Sequence, residues 1–169
     1  MPGLSRDDDF SEYAVTRWAR LVRSAILLGC SEAEAEDVVQ TALERCLIHW
    51  RKVERASDRD AYVHRILLNT FTGSRRRRWT TEVAMAEPPD SADSDKTADV
   101  DRTDAVERGL ARLPHDQRVA VVLRYYAHLS ETQMAAALDV PTGTIKSRLS
   151  RAMTSLAEDP SLEELRDVR

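Results

Sequence analysis

The sequence predicts an all-α protein of two small helical domains joined by a flexible acidic linker. Three observations carry this expectation. Apolar residues recur at three- and four-residue steps through two long stretches, roughly 10–79 and 106–156. Between them, from Thr80 to about Thr103, the periodicity stops, Pro88-Pro89 forbids helix, and Asp, Ser, Thr and Ala dominate. Aromatic residues make up only 5% of the 169, too few for a sheet protein that packs aromatic and β-branched pairs across strands. The expected division is a first domain over 1–79, a linker over 80–104, a second domain over 105–157 and an acidic tail over 158–169.

The first helix is expected from about Phe10 to Leu28, where Phe10, Ala14, Trp18, Leu21, Val22, Ala25 and Ile26 form one apolar stripe and Gly29 ends it. Ser31 with Glu34 is a capping box for a second helix, whose stripe runs Val38, Val39, Ala42, Leu43, Cys46, Leu47 and Trp50. Ser57 with Asp60 opens a third helix, which closes on Arg75-Arg76-Arg77-Arg78-Trp79. After the linker, helical signal returns at Val106, Leu110 and Leu113, breaks at Pro114 and resumes through Val119, Val122, Leu123 and Tyr126. Ser130 with Gln133 caps a short helix carrying Met134, Ala137 and Leu138. A turn at Asp139-Val140-Pro141 leads into a last helix that packs through Ile145, Leu149, Ala152, Met153 and Leu156.

Net charge is −4, which taken alone argues against a nucleic-acid partner, yet the charges are segregated. Residues 44–79 hold ten Arg and Lys against four acids, residues 80–108 nine acids against three bases, and residues 109–155 six bases against three acids. Two basic modules therefore flank an acidic spacer. No apolar run approaches the ~18 residues that span a bilayer, and Met1-Pro2-Gly3 leads into Asp7-Asp8-Asp9, so a cytoplasmic protein without membrane insertion is expected. Cys30 and Cys46 lie sixteen helical positions apart, about 24 Å at ~1.5 Å per residue, which excludes a disulfide and fits a reducing compartment.

Ser130–Leu156 is the most specific stretch, a capped helix, a short turn and a second helix with two distinct faces. At ~100° per residue, Thr144, Ser147, Arg148 and Arg151 fall about 120° from the Ile145, Leu149, Ala152 and Leu156 stripe. Arg suits guanine edges and phosphates, Ser and Thr suit either, and Thr142 with Gly143 offers backbone N–H groups at a helix N-terminus. The basic third helix carries Arg65, Asn69, Arg75 and Arg76 on overlapping faces, with Trp79 as a stacking surface for an unpaired base. Catalytic chemistry finds no support. Cys46 lies in an apolar stripe without a second metal-ligand pattern, so no metal or cofactor is expected, and the adjacent Glu36 and Asp37 point about 100° apart.

Several of these segments resemble the extracytoplasmic-function (ECF) sigma factors of the sigma-70 family, bacterial transcription initiation factors, and in particular the actinobacterial SigE-like subgroup. Ala35-Glu36-Asp37-Val38-Val39-Gln40-Thr41-Ala42-Leu43 is similar to the family's polymerase-binding segment in region 2, and Asp60-Ala61-Tyr62-Val63-His64-Arg65-Ile66-Leu67-Leu68-Asn69 to the segment that melts and reads the minus-10 element. Leu113-Pro114-His115-Asp116-Gln117-Arg118 opens a region 4, and Val140-Pro141-Thr142-Gly143-Thr144-Ile145-Lys146-Ser147-Arg148 is similar to its minus-35 reader. Two positions depart from the family pattern: Asp139 stands where Gly is usual and Met134 where Ile is usual.

The resemblance implies a protein that directs core RNA polymerase to promoters and does no covalent chemistry. Asp37, Gln40, Thr41 and Glu44 would meet the polymerase, chiefly its beta-prime clamp helices, with the beta subunit as a second contact. Val53, Glu54, Arg55, Ala56 and Ser57 would form the specificity loop beside a flipped base at Asn69, with Arg65, Arg75, Arg76 and Arg77 on the minus-10 DNA. Thr142, Gly143, Thr144, Lys146, Ser147, Arg148 and Arg151 would read the minus-35 duplex. An anti-sigma factor is a partner the sequence leaves open. The competing reading is a helix-turn-helix regulator that binds DNA without being a polymerase subunit, which leaves the basic first domain without a role.

Overall fold

The computed structural model describes residues 6–82, 98–160 and 162, and every described regular element is helical. The first half contains α1 (Arg6–Leu28), α2 (Glu32–Ile48), a single-turn α3 (Trp50–Glu54) and α4 (Arg59–Glu82). The second contains α5 (Ala98–Arg112), α6 (His115–Val121), a π-helical turn (Val122–Tyr126), α7 (Glu131–Leu138) and α8 (Thr142–Ala157).

Helices α1 and α2 form a hairpin. Gly29 makes the turn at φ +113°, a conformation an L side chain resists, and Ser31 starts α2 with the expected capping box, its Oγ accepting the Glu34 amide while Glu34 accepts the Ser31 amide at 2.7 Å. The expected continuation of α2 through Trp50 does not occur. The backbone leaves the helix at His49 (φ −110°, ψ 23°), which turns Trp50 inward beneath α1, where its ring meets Phe10 edge-on at 5.2 Å and its Nε1 donates to Asp9 at 3.0 Å. Trp50 is fully buried, a burial of the kind that contributes about 2–3 kcal/mol. The α4 cap also differs from expectation: Asp58, not Ser57, accepts the Ala61 amide at 2.7 Å, because Asp60 is turned inward to accept from Tyr13.

The expected linker over 80–104 is helical at both described ends, α4 reaching Glu82 and α5 starting at Ala98. Cys46 is buried in the first half and unpaired, and burial pushes its thiol up to about 12. Met153, expected in the apolar stripe of α8, is exposed, since it lies about 80° round the helix from Ile145. The two halves are not separate in space. Leu28, Phe71, Leu123, Met134 and Ile145 belong to one contiguous buried cluster, and α1 and α4 pack against α5, α6 and α7.

Candidate nucleic-acid interface

The C-terminal hairpin is assembled by local rules. Ser130 Oγ accepts the Gln133 amide at 3.2 Å and Gln133 Oε1 accepts the Ser130 amide at 2.5 Å, a complete capping box for α7. Asp139 closes α7 in the left-handed conformation (φ 55°, ψ 48°), the one glycine normally supplies there, and Val140 donates to Ala135 O at 3.1 Å. Pro141 then starts α8, whose Ile145, Leu149 and Ala152 are buried. Thr142, Gly143, Lys146 and Arg151 are exposed on the other side, and Thr144, Ser147 and Arg148 are half-buried beside them. The space around Gly143 is open, so the α8 N-terminus is accessible to a phosphate. Arg148 is not idle: its Nε pairs with Asp116 at 3.2 Å, while Lys146 pairs with Glu131 at 3.8 Å.

Along α4, Arg65, Asn69, Arg76 and Arg77 are exposed. The Asn69 side chain has no hydrogen-bond partner among the described residues, so its carboxamide is not consumed by a neighbouring carbonyl. Arg75 is exposed as a residue, but its guanidinium lies over the Phe71 ring at 5.6 Å. The Trp79 side chain, expected as a stacking surface, lies outside the described set.

The loop before α4 presents Glu54, Arg55 and Ser57 to solvent and half-buries Ala56. Val53 is a correction. It is fully buried, so it anchors the loop to the core and offers nothing to a ligand. The loop is held from below by Asp60, which accepts from Tyr13 Oη at 2.8 Å and pairs with Arg17 at 3.1 Å, while its carbonyl meets His64 Nδ1 at 2.7 Å. Burial and the bond to Asp60 raise the Tyr13 hydroxyl far above its ordinary pKa, so Tyr13 stays a neutral donor.

On α2, Asp37, Gln40 and Glu44 are exposed and Thr41 is half-buried, with Gln40 Nε2 donating to Glu44 at 3.2 Å. Gln40 and Glu44 border an apolar groove of about 310 Å³ between α1 and α2, lined by Phe10, Ala14, Val15, Trp18, Leu43 and Leu47. Trp18 and Leu47, which helical spacing places in the apolar stripe, are each 37% exposed, and Val15 is 80% exposed. Periodicity identifies a stripe but not its width, so the groove is the feature that sequence reasoning missed. The signal available was Val15 beside Trp18, an apolar residue outside the α1 stripe.

Residues 13–81 match the family described as sigma-70 region 2, and residues 103–156 match sigma-70 region 4. The chain is 37% identical over 151 residues to the RNA polymerase sigma-E factor of Streptomyces coelicolor, covering 89% of this chain and 85% of that one. The chain is an ECF RNA polymerase sigma factor of the sigma-70 family. The ECF RNA polymerase sigma factor SigM of Mycobacterium tuberculosis is 33% identical over 138 residues, covering 82% of this sigma factor and 70% of its own length. Among solved structures, the sigma factor RpoE in complex with the anti-sigma factor NepR from Bartonella quintana aligns over 95% of this chain and 99% of its own, with TM-score 0.73 and 28% identity. CnrH in complex with the cytosolic domain of CnrY shares the fold, with TM-score 0.63 over 88% of this chain and 84% of that one at 22% identity.

Membership makes this sigma factor a polymerase-associated transcription initiation factor, and the two-region match disfavours the helix-turn-helix regulator acting without polymerase. No helix among its described residues is long and apolar enough to cross a membrane.

Proposed function

We propose that this sigma factor binds core RNA polymerase through Asp37, Gln40, Thr41 and Glu44 on α2, against the beta-prime clamp helices, with the beta subunit as a second contact. It reads the minus-35 element as duplex with α8, through Thr142, Gly143, Thr144, Lys146, Ser147, Arg148 and Arg151. It captures the melted minus-10 strand on Asn69, with Glu54, Arg55, Ala56 and Ser57 beside the base and Arg65, Arg75, Arg76 and Arg77 on phosphates. Unpairing costs a few kcal/mol per base, offset by capture in the pocket and by phosphate neutralisation. It acts in the cytoplasm, without covalent chemistry and without a cofactor, and an anti-sigma factor is a further partner, in line with the solved RpoE relative.

The observation that carries this reading is Asn69, an exposed amide with no protein partner among the described residues, one turn after Arg65 on a helix that continues to Arg76 and Arg77. Run-off transcription with purified core polymerase over genomic fragments tests it. Discrete transcripts that require the chain support the reading and map its promoters. Duplex binding without polymerase, and no transcripts above core alone, would overturn it.

A further inference from the structure

Beyond α8 the chain turns back onto α5. Asp159 is buried there and accepts from Arg112 Nη1 at 2.6 Å, and Leu162 N donates to Asp159 O at 3.1 Å, a single turn that brings Leu162 onto Gly109. A Cβ on residue 109 would stand 3.0 Å from Leu162 Cδ1 and 3.5 Å from Leu156 Cδ2, so the missing side chain lets both leucines approach the helix. Glycine weakens a helix interior, and here the loss is matched by a seat for the chain that follows α8.

Leu162 also stands in the wall of an apolar groove of about 230 Å³, whose lining includes Leu27 of α1, Val106 and Leu110 of α5, Tyr125 of the π-helical turn and Leu156 of α8. Val106 is 41% and Tyr125 55% exposed, so the groove opens to solvent along these two side chains. Water in such a groove finds few polar partners, and an aliphatic side chain replaces it favourably. We propose that residues 163–169 of this chain are the occupant, with Leu165 and Val168 entering the groove behind Leu162.

Spacing, reach and charge agree on this occupant. Leu162, Leu165 and Val168 recur every three residues, which aligns them on one side of a helical or 3₁₀ segment. Val168 lies six residues beyond Leu162, at most about 20 Å of chain, so the segment stays within reach of the wall that Leu162 already forms. Glu163, Glu164 and Asp167 outnumber Arg166 and Arg169 in the segment, while α5 exposes Arg108 and Arg112 one turn apart beside Gly109. The tail is thus an intramolecular ligand of the second domain, and any partner that uses this apolar face competes with it.

Limited trypsin digestion of the full chain, followed by mass spectrometry, tests the docking at the bond after Arg166. In the full chain this bond should be cut about tenfold more slowly than in a synthetic peptide of residues 157–169, because cleavage needs the undocked tail. Leu165→Ser/Val168→Ser should bring the rate to that of a peptide with the same two changes. Val106→Asp, which places a charge in the groove and leaves the tail sequence intact, should also remove the protection while circular dichroism shows a folded chain. Tyr125→Asp repeats this test at the more exposed lining position, so an unfolded Val106→Asp chain leaves the question answerable. Equal rates for chain and peptide would overturn the proposal. So would protection that survives both groove variants, which places the tail elsewhere, or protection that grows with chain concentration, which makes a second copy the occupant.

Discussion

Asn69 presents two donors and an acceptor to solvent on the face of α4 that carries Arg65, and this combination suits the edge of an unstacked base. Asn69→Ala should leave polymerase binding and minus-35 duplex binding intact and slow open-complex formation, with activity restored on a template pre-melted at the minus-10 element. Wild-type opening rates, followed by a fluorescent base at that element, would remove Asn69 from the site. On the proposed reading Arg148 is part of the duplex reader, and Arg148→Ala should weaken promoter binding by holoenzyme by about 1–3 kcal/mol if it meets a base. Its Nε pairs with Asp116 at 3.2 Å, so a DNA contact through that nitrogen would exchange one partner for another. Sequence spacing puts Asn69 on the exposed side of α4 and Arg148 off the buried stripe of α8, as the structure has them, because each position depends only on the phase of its own helix. Val53 was not legible in that way, since whether a loop residue anchors or contacts is decided by what lies beneath it.

At the scale of elements, the α7–α8 hairpin follows from short-range chemistry. Ser130 and Gln133 cap α7, Pro141 starts α8, and only the turn carries a compromise, Asp139 at φ 55°. A non-glycine residue in this region costs about 1 kcal/mol, offset in part by the chain entropy that glycine loses on folding. Asp139→Gly should therefore raise stability by about 0.5–1 kcal/mol, a gain of a few degrees in thermal midpoint by circular dichroism. An unchanged or lower midpoint would mean that the Asp side chain contributes more than its backbone costs. Helix α3 shows the opposite situation. Helical periodicity runs straight through Trp50, and the break at His49 arises because Trp50 gains Phe10, Tyr13 and Asp9 only by leaving the α2 axis.

For the whole molecule, the seam between domains predicts a dependence on pH. His115 faces Arg75 from α4 and Arg118 and Asp116 from its own helix, and its pKa is lowered by burial against Phe71 and then by the two guanidiniums, with Asp116 opposing. A closed-state pKa below the open-state value means that the closed arrangement is fully favoured above the ordinary histidine pKa, about 6.5, and loses that advantage as pH falls below it. The free chain should accordingly expand between pH 7.5 and pH 5.5 by small-angle scattering, and His115→Gln should flatten the response. His64 is buried in the first domain and also shifted down, by burial first, so acid weakens that bundle as well. An expansion that persists undiminished in His115→Gln would assign the effect to His64 rather than to the seam.

Helix phase, caps, turn chemistry and charge blocks are properties of neighbours in the chain, and by themselves they determined the helical class, the capping boxes at Ser31 and Ser130, the two faces of α8 and the basic stripe of α4. The outcomes that needed tertiary structure all involve residues far apart in sequence. Trp50 meets Asp9, Tyr13 meets Asp60, Leu47 opens onto a groove with Val15, and Gln133 reaches Asp58. A two-domain chain with an acidic spacer reads as two separate bodies because periodicity carries no information on which apolar stripes face each other. Only the placement of Phe71 against His115 and of Arg118 on Leu27 decided that the two halves of this sigma factor close on one another.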